Sequence, residues 1–179
     1  YQVRLTVDGV TRTEQFDLLK DPRLTEVTQA DFVAQFDLAM AVHARFNDAT
    51  MAVTRIRALR GEVDDRVQSA ADVQVTQAGT ALATNLRDVE GDLYEGGAEA
   101  QSDLKHFGTR LANHLSYLKG VVMGADARPT QQSFQVLEEI SVELDAHLER
   151  LELILGDELD RFNDLLREKG LPPVGRLIA

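Results

Sequence analysis

The sequence has no cysteine and no tryptophan, and it is poor in proline and in aromatic residues. Its 179 residues include 4 prolines, and aromatic residues make up 6% of the chain. Without cysteine, the chain cannot form a disulfide, a thiolate metal site or a thiol nucleophile. The low aromatic content favours helices that pack through aliphatic side chains over the core of a β-sandwich.

Basic residues are also scarce relative to acidic ones. The chain has 19 lysines and arginines against 30 aspartates and glutamates, which gives a formal net charge of −11. This balance argues against nucleic acid as a partner and against docking on anionic lipid, because both depend on basic patches. No apolar run approaches the roughly 20 residues of a membrane span, so we expect no membrane insertion. No signal peptide is visible and the chain begins at Tyr1, which predicts a fragment or a processed product.

The first 19 residues differ from the rest because apolar and polar side chains alternate. An Asp-Gly step at positions 8–9 divides the alternating run, and this is the strongest short signal for a β-hairpin. A two-residue turn there predicts three opposed pairs: Val7 with Val10, Leu5 with Arg12, and Val3 with Glu14. An isolated hairpin is marginally stable in water. We therefore expect its apolar face to dock on the helices, or the hairpin to be the edge of a sheet with further strands upstream; the second interpretation is favoured.

The rest of the chain carries four segments in which apolar residues recur every three or four positions, which is the period of an α-helix. The predicted helices cover residues 29–67, 70–95, 103–123 and 130–169. In the first, Phe36, Phe46 and Val53 are among the residues near the apolar face, and Gly61 is a weak point. The apolar stripe of the last helix is called the Leu ladder below. It comprises Phe134, Leu137, Ile140, Leu144, Leu148, Leu151, Leu155, Leu159, Phe162 and Leu166.

Four amphipathic helices with short links predict a mainly α fold, an antiparallel up-down-up-down four-helix bundle with long first and last helices. A short N-terminal β-hairpin (1–24) precedes the bundle (25–179). Because the helices differ in length, the outer two would overhang the middle two, or the first would bend near Gly61. A closed bundle is expected to be monomeric. The alternative is that the Leu ladder forms the seam of a dimeric coiled coil.

The histidines do not follow the pattern of a metal site in a helical bundle. A di-iron site needs Glu-x-x-His motifs on two helices. Only His106 has an acid three residues before it, Asp103, whereas His43, His114 and His147 have apolar residues there. The sequence therefore predicts no metal and no cofactor.

Charged clusters in the helices are interpreted as solvated faces. Six acids of the last helix lie mostly off the Leu ladder: Glu138, Glu139, Glu143, Asp145, Glu149 and Glu152. Glycosidase chemistry needs two carboxylates that face each other across a cleft, which one charged helix face does not supply. Arg55, Arg57 and Arg60 fan around the first helix, and we expect them to pair with acidic helices. No catalytic residue is predicted.

Several stretches resemble a known family. YQVRLTVDGVTRTEQFDL with KDPRL (1–24) resembles the last two strands of an immunoglobulin-like module found in large bacterial sortilin-like proteins with BNR-type propeller repeats, often labelled glycosyl hydrolases. The stretches FNDATMAVTRIRALR, LANHLSYLKGVVMGADARPTQQSFQVLEEISVELD and NDLLREKGLPPV resemble the helical region that follows in that family. The ADARPTQQS turn (125–133) and the GLPPV ending (170–174) are the most distinctive pieces.

The resemblance implies a non-catalytic C-terminal helical module of a larger exported bacterial protein, located in the periplasm, at the cell surface or outside the cell. Its work would be scaffolding or protein–protein contact, against the upstream propellers or another protein. The family's presumed active surface lies in those propellers, so no functional residue transfers to this chain. Two alternatives stay open: an accessory part of a glycoside hydrolase whose active site lies upstream, and a dimeric coiled-coil adaptor.

Overall fold

The structure, a computed structural model, describes residues 1–94 and 110–175. It confirms the predicted fold class, because four helices in a bundle follow an N-terminal two-stranded hairpin. The elements are β1 (Gln2–Val7), β2 (Val10–Gln15), α1 (Gln29–Ala70), α2 (Val73–Leu93), α3 (Leu111–Met123), α4 (Gln131–Leu153), a π-helical turn (Ile154–Glu158) and α5 (Leu159–Glu168). The predicted beginning of the third helix at 103–109 lies outside the described residues.

The hairpin has the register that its turn predicts. Asp8 and Gly9 both have positive φ, at 49° and 79°, which is the conformation of the tight two-residue turns that match strand twist. All three predicted pairs are present, and Gln2 lies opposite Gln15 at the far end. The strands contact each other and none of the described helices, so the hairpin does not dock on them.

Capping side chains fix where α1 and α2 begin. The Thr28 hydroxyl and the Asp31 carboxylate form a reciprocal capping box, and the hydrogen bonds from Thr28 hold the pKa of Asp31 below its ordinary value. α1 then passes through Gly61 without interruption and ends at Ala70. Asp72 starts α2 by accepting hydrogen bonds from the main-chain N–H groups of the next turn.

Most of the Leu ladder is buried inside the bundle. Most of its members from Ile140 to Leu166 are buried, while Phe134 at its start is exposed. At the π-helical turn the buried position moves from Ile154 to Leu159, a step of five residues. A π turn contains more residues than an α turn, so Leu155, which the period predicts on the ladder, is only half-buried.

α4, the π-helical turn and α5 form one rod that runs parallel to α1. Arg45 and Arg55 of α1 pair with Asp145 and Glu152 of the rod, so both helices advance in the same direction. The rod is nearly as long as α1, whose 42 residues span about 63 Å at 1.5 Å per residue.

The two shorter helices both run opposite to these rods. α2 lies along the second half of α1, where Arg57 and Arg60 reach Glu90. The C-terminal end of α3 lies at the beginning of α1, where the Gln35 side chain donates to the carbonyl oxygen of Val122 at 2.7 Å. The directions therefore alternate across α1–α2 and α3–α4, as the up-down-up-down order predicts, but α2 and α3 run in the same direction, which that order does not include. α2 has 21 residues and covers only half of α1. The other half of the apolar stripe of α1 therefore packs against α3.

The apolar face of α1 differs from the predicted line of residues. Phe36 is exposed, whereas Leu38 and Val42 are buried. The cause is that α1 contacts α2, α3 and α4, so its buried surface is broader than one stripe and is set by the positions of three neighbours.

Candidate interaction surfaces

One face of the hairpin is mostly apolar and open. Directly opposed residues of an antiparallel pair share a face, which places six apolar side chains on one side of the hairpin. This hairpin face consists of Tyr1, Val3, Leu5, Val7, Val10 and Phe16. These side chains are between 46% and 76% exposed, and the rings of Tyr1 and Phe16 stack at 5.6 Å. Contiguous apolar patches on soluble proteins mark contact sites, so the hairpin face is the first candidate surface.

A groove between α3 and α4 is the second candidate surface. It is an open depression of about 1140 Å³, with Tyr117 and Val121 on one wall and Val136 on the other. Tyr117 is 77% exposed, although it lies on a helix of a packed bundle. Glu139 and Glu143 also line the groove, and both belong to α4. Because they lie on the same helix, they do not face each other across the groove as a glycosidase pair would.

The remaining acids of α4 lie on an exposed surface, as the pattern predicts. Glu138 and Glu149 are exposed, and the two acids with ion-pair partners, Asp145 and Glu152, are bound by arginines of α1. Arg45 binds Asp145 and also donates to the Ser141 carbonyl oxygen at 3.3 Å. The carboxylates of Asp145 and Glu152 therefore link α4 to α1.

The arginine cluster of α1 pairs with acids on two different helices. This confirms the prediction that its side chains point in different directions around α1 and pair with acidic helices. Arg55 binds Glu152 of α4 at 2.8 Å. Arg57 and Arg60 share the carboxylate of Glu90 on α2, each at 2.6 Å. The guanidinium of Arg57 also lies over the Tyr94 ring, 5.4 Å from its centroid. All three arginines of the cluster therefore form ion pairs within the bundle.

The histidines are spread over the bundle. His43 is half-buried on α1, and His147 on α4 lies 3.5 Å from the carboxylate of Asp92 on α2. His114 lines the groove between α3 and α4. His106, with Asp103 before it, lies outside the described residues. Across residues 1–94 and 110–175, no three histidine or acidic side chains converge in a way that could hold a metal ion.

The segment after α5 contacts the bundle through polar side chains and main-chain groups. Asn163, on the ladder side of α5, is buried and binds the main chain of Val174 through two hydrogen bonds. Arg66 donates to the Pro172 carbonyl oxygen at 2.9 Å, and Glu62 accepts from the Gly175 N–H at 2.8 Å. The sequence signals for these contacts were Asn163, a polar residue beside the apolar ladder, and Val174, an apolar residue after the two prolines.

Comparisons with known proteins give no relative for this chain. No family model matches it, and neither a curated protein nor a solved structure matches it. The resemblance to sortilin-like and BNR-repeat proteins therefore stays a prediction. Among the described residues, no helix is long and apolar enough to cross a membrane.

Proposed function

We propose that the chain is a non-catalytic helical module that works through protein–protein contact, with the hairpin face as its docking surface. The single observation that supports this function most is the exposure of six apolar side chains on one side of a hairpin that no described helix covers. Burial of a large aliphatic or aromatic side chain is worth about 1.5–3 kcal/mol. A face of this size would therefore contribute substantially to binding a partner.

The bundle is the packed unit to which the hairpin is joined. Its long rods are joined by ion pairs between α1 and α4 and between α1 and α2, and the segment 16–28 leads from the hairpin into α1. In that segment, Lys20 donates to the carbonyl oxygens of Leu24 and Val27, at 2.9 and 2.5 Å. These bonds order residues 20–27, which lie between the hairpin and α1.

The resemblance adds the context of this proposal. It would make the chain the helical part of a larger exported protein, and the hairpin part of an immunoglobulin-like sheet. In that setting the partner is another domain of the same protein, such as the propellers, or a separate protein. The opposite face of the hairpin is polar, with Gln2, Arg4 and Thr6 on β1, so one side alone is suited to apolar contact.

The test is site-specific photo-crosslinking in cells that make the natural protein. A photo-reactive amino acid is placed at Leu5, on the hairpin face, or at Thr6, on the opposite face, as the matched control. We expect a discrete crosslink from position 5, mapped by mass spectrometry to one segment of another domain or another protein, and none from position 6.

Two outcomes would contradict the proposal. One is the absence of a discrete crosslink from Leu5 and from Val3. The other is hydrolysis of a glycoside by the isolated chain that a single carboxylate substitution abolishes, for example Glu139→Gln. The second outcome would make the chain part of an active site.

A further inference from the structure

The outer edge of β2 has unpaired main-chain groups. Tyr1 and Phe16 exchange two hydrogen bonds, at 3.0 and 3.1 Å, so they form a hydrogen-bonded pair. In an antiparallel ladder such pairs alternate with non-bonded ones. The main-chain groups of Thr11, Thr13 and Gln15 therefore point away from β1. No described helix contacts β2, and an open strand edge is a template for another strand.

Two opposite charges lie on the apolar side of this edge. Arg12 lies opposite Leu5 and Glu14 lies opposite Val3, so both charges interrupt the hairpin face along β2. In the part of the chain that the structure describes, neither side chain forms an ion pair. A partner strand at the β2 edge would place its own side chains directly beside them.

We propose that the partner at this edge is β2 of a second copy of the chain, paired antiparallel about a two-fold axis through Thr13. In this register Thr13 lies opposite Thr13 of the second copy, and Thr11 lies opposite Gln15. All the outward-pointing main-chain groups of both strands then form hydrogen bonds with each other. Arg12 of each copy lies opposite Glu14 of the other, and Val10 lies opposite Phe16.

The charge pattern selects this register over its neighbours. A shift by two residues in one direction places Arg12 opposite Arg12, and a shift in the other direction places Glu14 opposite Glu14. Directly opposed like charges destabilise a strand pair, whereas opposite charges and Thr–Thr pairs stabilise it. The two-fold axis is perpendicular to the sheet, so both hairpin faces lie on the same side of the four-stranded sheet.

Pairing of two hairpins also addresses their low intrinsic stability. A two-stranded hairpin is marginal in water, and independent stability needs three or more strands with an apolar face. The bundle takes no part in this association and stays a closed unit. The inference rests on the proposed role in protein contact, but it uses the β2 edge instead of the hairpin face.

Charge exchange tests the proposal by sedimentation equilibrium. We expect the native chain to dimerise, and both Arg12→Glu and Glu14→Arg to raise the dissociation constant by about ten-fold or more, because each creates two like-charge pairs per dimer. The double variant, and an equimolar mixture of the two single variants, should regain native affinity, since both restore opposite charges. Helix content by circular dichroism should be unchanged in all of them.

A cysteine provides an independent readout, because the native chain has none. Hydrogen-bonded cross-strand pairs have Cα atoms about 5.5 Å apart, within the range of a disulfide. Under mild oxidation, Thr13→Cys should form a covalent dimer and Thr6→Cys, on β1, should not.

A native chain that is monomeric at all concentrations would overturn the proposal, as would a dimer that neither charge variant weakens. If Arg12 and Glu14 instead protect the edge from pairing, replacing both by threonine would increase association, which would also overturn it. A monomeric chain whose Leu5 still crosslinks to another protein would refute this inference and leave the proposed function intact. A chain that dimerises but gives no Leu5 crosslink would refute the proposed function and leave this inference intact.

Discussion

The side-chain amide of Asn163 forms two hydrogen bonds with the main chain of Val174. Its Nδ2 donates to the Val174 carbonyl oxygen at 3.1 Å, and its Oδ1 accepts from the Val174 N–H at 2.8 Å. Asn163 is 7% exposed and Val174 is buried with it. One side chain of α5 thus satisfies both polar groups of a buried residue that no helix or strand includes, and this fixes the segment after α5 on the bundle.

Replacing Asn163 by leucine should therefore destabilise the fold. The substitution keeps a similar volume but leaves the buried Val174 N–H and carbonyl oxygen unsatisfied, each at a cost of about 1–3 kcal/mol. We expect the free energy of unfolding in urea to fall by about 2–4 kcal/mol. The exposed Glu168→Ala on the same helix is the control and should change it by less than about 0.5 kcal/mol. Native stability of Asn163→Leu would show that the two bonds contribute little.

Gly79 should resist replacement by alanine, although alanine favours helices. A Cβ at Gly79 would lie 2.4 Å from a methyl of Val67 and 3.3 Å from the Phe162 ring, where α2 meets α1 and α5. Overpacking costs about 1–3 kcal/mol, which exceeds the gain in helix propensity of about 1 kcal/mol. Thermal unfolding should show a lower Tm for Gly79→Ala. At Gly61 no atom lies within 4 Å of a new Cβ, so Gly61→Ala should raise the Tm. A rise in the Tm of both variants would contradict the tight packing of α2 against α1 and α5 at Gly79.

Glu90 should matter more for stability than Glu152, the other acid that pairs with the arginine cluster. Its side chain is only 13% exposed and its carboxylate serves both Arg57 and Arg60. Glu90→Gln should lower the free energy of unfolding by about 1–3 kcal/mol, because the partly buried Arg60 and the more exposed Arg57 both lose their partner. Glu152 is 66% exposed and binds Arg55 alone, so Glu152→Gln should cost less than about 1 kcal/mol. Equal effects of the two substitutions in urea titrations would contradict the importance of burial.

Asp72 should make the stability of the fold sensitive to acid. A hydrogen bond from Lys169 and main-chain hydrogen bonds at the beginning of α2 hold the pKa of Asp72 below its ordinary value. Because the pKa is lower in the folded state than in the unfolded state, the stabilisation is fully present above the unfolded pKa. It is lost as the pH falls through the lowered folded pKa.

Two substitutions separate the charge of Asp72 from its role as a cap. Asp72→Asn keeps a side-chain acceptor for α2 but removes the charge, and Lys169→Met removes the largest cause of the lowered pKa. Both should reduce the stability at neutral pH and flatten its decline between neutral and acid pH, measured by urea unfolding at several pH values. An unchanged pH dependence in both variants would assign the acid sensitivity to other carboxylates.

Local features of the fold could be predicted from the sequence because their causes are local. The Asp8–Gly9 step fixed the turn and therefore the strand register, and the predicted beginnings of α1 and α4 lie within one residue of the observed ones. The Leu ladder correctly indicated most of the buried residues of the last helix, but not the exposed Phe134 at its start or the positions near the π-helical turn. There Ile154 replaces Leu155, because an enlarged helical turn leaves no signal in the apolar period.

The candidate surfaces were less predictable, because exposure depends on what packs nearby. The alternation in β1 indicated an apolar face, but whether helices cover it could be decided only by the structure. Phe36 was expected on the packed face of α1, yet it is exposed, since no neighbouring helix extends over it within the described residues. Tyr117 on α3 is exposed too, and no sequence pattern indicated it as part of a surface.

The sequence by itself determined the class of this protein, a helical bundle preceded by a hairpin, because helix period, capping residues and tight turns act over a few neighbouring positions. Only the tertiary structure decided that α2 and α3 run in the same direction along α1. Only the tertiary structure decided, too, that Asn163 binds the main chain of Val174 and that the β2 edge beside Arg12 and Glu14 is open. Each of these depends on contacts, or on missing contacts, between residues far apart in the chain, which no local pattern encodes.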